Sequence, residues 1–97
     1  MEYISPALRY GFREFCVGLY LGQIKDIFRA VGVKPSNEGL AMPVNGARRT
    51  CVEEHYAAMD WSSKADARKF LQAISLVLSQ TYLTEEAKEH LREICRR

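Results

Sequence analysis

The segment DARKFLQAISLVL, residues 66–78, decides the fold class. Phe70, Leu71, Ile74, Val77 and Leu78 recur at i, i+1, i+4, i+7 and i+8, which is one apolar stripe on a 3.6-residue helix. Arg68, Lys69, Gln72 and Ser75 fall off that stripe. Just upstream, Ser63 and Asp66 have capping-box spacing, with Asp in place of the usual Glu. The pattern predicts a central amphipathic helix. Downstream, Thr84 is a natural N-cap, and Glu85 and Glu86 in the first turn and Arg96-Arg97 at the end suit the dipole of a last helix. Ala87, Leu91 and Ile94 form its core side.

Upstream the same period returns. Ser5-Pro6 marks a helix start, because serine accepts from the first free N–H groups and proline fits the first helical position. Leu8, Phe12, Phe15, Cys16 and Leu19 make the stripe of this helix, with Arg9, Arg13 and Glu14 off it. Gly11 and Gly18 weaken it and leave room for a kink or break at either. A second helix is predicted over about 22–31, with Leu21, Ile24, Ile27, Phe28 and Val31 inward and Gln23, Asp26 and Arg29 turned to water or a partner. Gly32 is its C-cap candidate, and Pro35 follows. Residues 33–45, VKPSNEGLAMPVN, read as an ordered loop with a helical turn near 36–41 and with Leu40, Met42 and Val44 tucked onto the core.

The stretch VNGARRTCVEEHYAAMDW, residues 44–61, reads as a helix capped by Asn45. It is buried along Val52, Tyr56 and Met59 with Cys51 beside them, and Trp61 closes the core at the next junction. No segment alternates with period two between turn signals, so no strand is predicted. The fold class is therefore all-α: one compact bundle of five amphipathic helices with short connections spanning 1–97. The ending at Arg96-Arg97 is what a domain cut from a longer protein would show.

Several function classes are disfavoured. The net charge is +2, without the concentrated basic excess of a nucleic-acid binder. Arg48 and Arg49 are followed by Glu53 and Glu54, which would repel phosphate. No apolar run approaches 18 residues, and MEYISPALRY lacks the apolar region of a signal peptide. Cys16, Cys51 and Cys95 are odd in number and widely spaced, as expected of reduced core thiols in a cytoplasmic protein. Cys51 and His55 share a helix face, but a metal centre needs three or four ligands and a cysteine nucleophile needs an oriented imidazole beside a cleft. A partly buried thiol and a surface imidazole are expected, with no metal and no cofactor. Arg49-x5-His55 resembles the R-x4-6-H pattern of HEPN-type ribonucleases. There the histidine would move a proton and the arginine would hold phosphate charge, which makes RNA cleavage the alternative reading.

Taken in order, IKDIFRAVGV, a loop, NGARRTCVEEHYAAMDW and DARKFLQAISLVL resemble the bacterial CARD-like, death-fold domains of anti-phage defence and conflict-system proteins. The resemblance covers nearly the whole chain, and the arginine pair, VEEHY and the terminal DW are its most specific parts. It implies a compact antiparallel, death-fold-like bundle of five to six helices, and a non-catalytic module that binds like domains, or further copies of itself, through charged faces when a signal demands it. Such modules couple to an effector such as a protease or pore-former. It implies no enzymatic activity, nucleic acid or membrane contact. Arg9, Arg13, Asp26, Arg29, Arg48, Arg49, Glu53, Glu54, Arg68 and Lys69 are the candidate partner-binding residues. A sixth helix, if present, must come from the break near Gly18 or the turn after Pro35.

Overall fold

The computed structural model describes residues 2–36, 38–40 and 44–96 and is all-helical over them. Five helices follow in order: α1 (Pro6–Cys16), α2 (Leu21–Ala30), α3 (Ala47–Ala57), α4 (Lys64–Leu78) and α5 (Glu85–Cys95). Helix α3 packs on α1 and α2, α1 also packs on α5, and α2 packs on α4. The radius of gyration is 12.5 Å, close to the ~13 Å of a compact domain of about 100 residues. The helix count is the lower of the two expected. Of the turn predicted near 36–41, residues 36 and 38–40 carry no helix, and 37 and 41 lie outside the described residues. Met42 lies outside them too. Leu40 is exposed and Val44 half-buried, so Leu40 does not join the core.

Local chemistry sets the helix ends. Ser5 Oγ accepts from Leu8 N at 3.1 Å, with Pro6 in the first turn. Thr84 Oγ1 accepts from Ala87 N at 3.0 Å. Helix α2 ends in a Schellman turn. Gly32, at φ 82°, donates to Arg29 O, and Val33 N donates to Phe28 O at 2.9 Å. This turn needs a left-handed residue, which glycine supplies without strain, and it carries buried Val33 back onto the core. The α3 N-cap is Gly46, at φ 98°, rather than Asn45, and no side chain caps that end. Ser63 Oγ accepts from Asp66 N at 3.3 Å, but the Asp66 carboxylate accepts from Asp60 N at 2.8 Å, so half of the expected capping box points elsewhere.

The core is built around three fully buried phenylalanines: Phe12 from α1, Phe28 from α2 and Phe70 from α4. Phe12 meets Phe70 edge-on at 5.4 Å, and Phe70 also meets Trp61 edge-on at 5.5 Å. Helix α4 buries Ala67, Phe70, Ala73, Ile74 and Val77. Leu71, expected inside, is 49% exposed. It lies one residue, ~100°, around the helix from Phe70, and the alanine-bearing edge packs inward instead. Gly11 is not a break. A Cβ there would sit 2.5 Å from Ile94 Cγ2, so the missing side chain is what lets α5 close on α1. Helix α1 ends at Cys16, two residues before Gly18.

Candidate interaction site

Along the seam between α1 and α3 runs a chain of alternating charges. Glu53 Oε2 accepts from Arg13 Nη1 at 2.8 Å, and Arg13 Nε donates to Glu14 Oε2 at 3.1 Å. Arg49 Nε and Nη2 donate to the two Glu14 oxygens, each at 2.8 Å. The four charges sum to zero. At one end the pair is buried, with Arg13 7% and Glu53 3% exposed, while Arg49 and Glu14 at the other end are part-exposed. The fork of Arg49 and its bond to Glu14 hold that carboxyl below its usual range, with Arg13 adding to the effect against the cost of burial. Arg13 stays charged despite burial because Glu53 and Glu14 face it.

Arg13 and Glu53 were expected to face a partner, and the fold corrects that for both. They bond each other across 40 positions of sequence and are almost wholly buried, at 7% and 3% exposed. Arg49 is committed to Glu14 as well.

Beside the buried pair lies an open groove of about 280 Å³ lined by Pro6, Arg9, Tyr10, Arg13, Glu53, Tyr56 and Trp61. The Arg9 guanidinium stacks over Trp61 at 4.6 Å and pairs with Glu2 at 2.8 Å. Tyr10 lies against Arg13 at 4.9 Å and is 58% exposed. Tyr56 donates its hydroxyl to Arg9 O at 2.7 Å. Tyr3, 56% exposed, is tied to the same end by its N–H to Trp61 O. Trp61 is half-buried and packs on the core, as the sequence suggested. Sequence reading missed Tyr10 and Tyr3 as surface features, because aromatic residues near a helix start are ordinarily assigned to the core.

On the other side of α3, between it and the end of α2, is a cleft of about 540 Å³. Lys25, Arg29, Val33, Lys34, Pro35, Cys51, Glu54 and His55 line it. His55 is 3% exposed rather than a surface imidazole. It stacks on Phe28 with ring centroids 4.4 Å apart and donates Nδ1–H to Cys51 O at 2.7 Å, since a carbonyl can only accept. Burial pushes its pKa below the ordinary 6.5. The Cys51 thiol is 4.0 Å from that occupied nitrogen, and burial raises its pKa, so the pair lacks the thiolate that nucleophilic chemistry requires. Cys16 is buried likewise, whereas Cys95 is exposed, against expectation; all three cysteines are free.

Arg49 and His55 do not converge. They are six residues apart on one helix, ~120° apart around its axis, and line different clefts, Arg49 sharing one with Val17 and Leu21. Among the described residues no three His, Cys, Asp or Glu side chains are placed to hold a metal ion, and no helix is long and apolar enough to cross a membrane. Of the other expected partner-binding residues, Asp26, Arg29, Arg48 and Arg68 are exposed, and Glu54 and Lys69 are half-buried. Asp26 and Arg29 pair loosely at 3.4 Å, and Lys69 lies 3.8 Å from Asp66. Compared with known proteins, the chain matches no family model, no curated protein and no solved structure.

Proposed function

We propose that this chain is a non-catalytic protein-interaction module that recruits a partner through the groove on its α1–α3 seam. The groove itself carries the reading. It sets exposed Tyr10 beside Trp61, Tyr56 and a stacked arginine, the residue types that dominate binding energy at protein interfaces, and exposed Tyr3 is tied by its backbone to Trp61 at the same end. Two of its members, Arg9 and Tyr56, are already held by the fold, which lowers the ordering cost of binding. The ribonuclease alternative has less support, because its two residues point into separate clefts.

The narrower reading is homotypic association in a bacterial anti-phage system, upstream of an effector such as a protease or pore-former. It rests on the sequence resemblance. Among the charged candidates, Asp26, Arg29, Arg48 and Arg68 are exposed and open to a partner. Reversing Arg13 or Glu53 is a poor test of binding, since it would place like charges together in the interior.

Sedimentation equilibrium of the wild type against a Tyr3→Ala/Tyr10→Ala variant tests the proposal. Both side chains are exposed, so the helical spectrum and melt should be unchanged. Self-association should weaken about ten-fold, the effect of losing one or two interface anchors. Equal association of the two proteins, or a wild type that stays monomeric at every concentration, would sink the homotypic reading at this groove.

A further inference from the structure

We propose that the α2–α3 cleft binds an acidic peptide segment carrying an apolar side chain, presented by a partner protein. The inference rests on the reading of the chain as a protein-binding module, but it concerns a second surface with different chemistry. Lys25 and Arg29 approach from α2 and Lys34 from the following loop, against a single carboxylate, Glu54, on α3. Neither lysine has an ion-pair partner among the described residues, and the Arg29–Asp26 contact is long at 3.4 Å and solvent-exposed. The cleft therefore presents an uncompensated positive field to an incoming anion.

Its floor and wall are apolar: Val33, Pro35 and the Cys51 thiol. A cleft of about 540 Å³ is far larger than a phosphate group and would leave that wall bare. A side chain next to an acidic residue fills it. Glu54 would repel a compact multivalent anion, yet it can accept a peptide N–H. The loop wall is tied in place, since Ser36 N donates to Glu54 O at 2.9 Å.

His55 supplies a readout. With Nδ1–H committed to Cys51 O, Nε2 is the nitrogen left without a partner. Protonating it adds charge to a buried ring facing Lys25, Arg29 and Lys34, with only Glu54 to offset them. A bound carboxylate reverses that balance and draws a proton onto Nε2. Binding should therefore tighten as the pH falls toward the lowered value at which His55 titrates in the free protein, until the peptide's own carboxylates protonate near pH ~4.3.

The test is fluorescence anisotropy with a labelled, acetylated and amidated peptide of alternating glutamate and leucine. A glutamine-for-glutamate control and inorganic phosphate as competitor accompany it. The wild type should bind the acidic peptide and not the control. The combined Lys25→Gln, Arg29→Gln and Lys34→Gln variant, altered only at exposed positions, should bind about ten-fold more weakly, the sum of three modest exposed-charge contacts. The His55 ring-proton titration, followed by NMR, should move to higher pH when the peptide is present. Equal binding by the control or by the triple variant, displacement by phosphate at peptide-like concentrations, or an unmoved His55 titration overturns the inference. The Tyr3→Ala/Tyr10→Ala variant separates it from the seam proposal: it should lose self-association and keep the peptide. Loss of peptide binding in the triple variant alone leaves the seam reading untouched, and failure of self-association with peptide binding intact removes the seam reading alone.

Discussion

Helix α4 buries Ala67, Phe70, Ala73, Ile74 and Val77, all apolar, whereas α3 buries a carboxylate and an imidazole beside Cys51, Val52 and Tyr56. Helix α4 is held by shape: its side chains fill space against Phe12 and Trp61, and little about them depends on one named partner. Helix α3 is held by pairing. Glu53 is tolerated inside only because Arg13 arrives from α1, and His55 only as a neutral ring with one nitrogen bonded and its face on Phe28. The first mode leaves a periodic trace in sequence. The second leaves none, because each half of the pair looks like an ordinary surface charge.

The largest effect should come from the shape-held side. Phe70→Ala removes a ring in edge contact with Phe12 and Trp61, and should cost about 3–5 kcal/mol. Leu71→Ala, one position along and 49% exposed, should be nearly silent in the same urea melts. Comparable losses for the two would mean that α4 is rotated from the orientation described here, and the contrast between the helices would lose its basis.

Next comes the pair itself. Glu53→Ala should cost about 3 kcal/mol, the low end for breaking a buried ion pair, because Arg13 keeps Glu14 at 3.1 Å. Replacing both members with apolar residues of similar volume, Arg13→Met with Glu53→Leu, should recover most of that loss, since no buried charge is then left alone. If the losses of Arg13→Met alone and Glu53→Leu alone simply add in the double variant, the residues act independently and α3 is not held by pairing.

How much of this was legible follows from the same contrast. The five helices, the caps at Ser5 and Thr84, the glycine stop of α2 and the core roles of Phe12, Phe28, Phe70 and Leu91 could be read from period and cap chemistry. The misreadings concern features set by a distant element. Gly11 looked like a helix weakness because Ile94, which needs its missing side chain, comes from α5. Leu71 looked buried because the stripe fixes a face to within about one residue, while neighbouring helices choose its edge. Arg13, Glu53 and His55 looked exposed because their partners lie on other helices or, for His55, include the backbone. The seam groove had a faint signal: Tyr10 sits between Arg9 and Arg13, one turn apart, and Trp61 is the chain's single tryptophan. The basic cleft had less, since Lys25, Arg29 and Lys34 converge only after the turn at Gly32.

The smallest effect is expected at the outer end of the ion chain, and it sharpens the comparison by holding chemistry constant while changing burial. Arg49 forks onto Glu14 with two bonds of 2.8 Å, better geometry than the single bond joining Arg13 to Glu53. If geometry set the energy, Arg49→Ala would be the costlier change. Burial argues the reverse. The Arg49 side chain is 39% exposed, so water and salt screen the pair, and water solvates Glu14 once the arginine is gone. Arg49→Ala should therefore cost a fraction of the Glu53→Ala loss at neutral pH, and added salt should erase much of the difference from wild type. The pH dependence gives a second check with a definite sign. Glu14 titrates below its ordinary 4.5 in the folded protein because Arg49, foremost, and Arg13 favour its charged form. The unfolded chain then binds the proton first, so this contribution is complete above pH 4.5 and is lost as the pH falls toward the folded value. Removing Arg49 should raise the folded value, so the neutral plateau drops by the small Glu14 contribution and the acid limb below pH 4.5 flattens by the same amount. A neutral-pH loss as large as that of Glu53→Ala would mean that bond geometry outweighs burial along this seam, and that its exposed end is as structural as its interior.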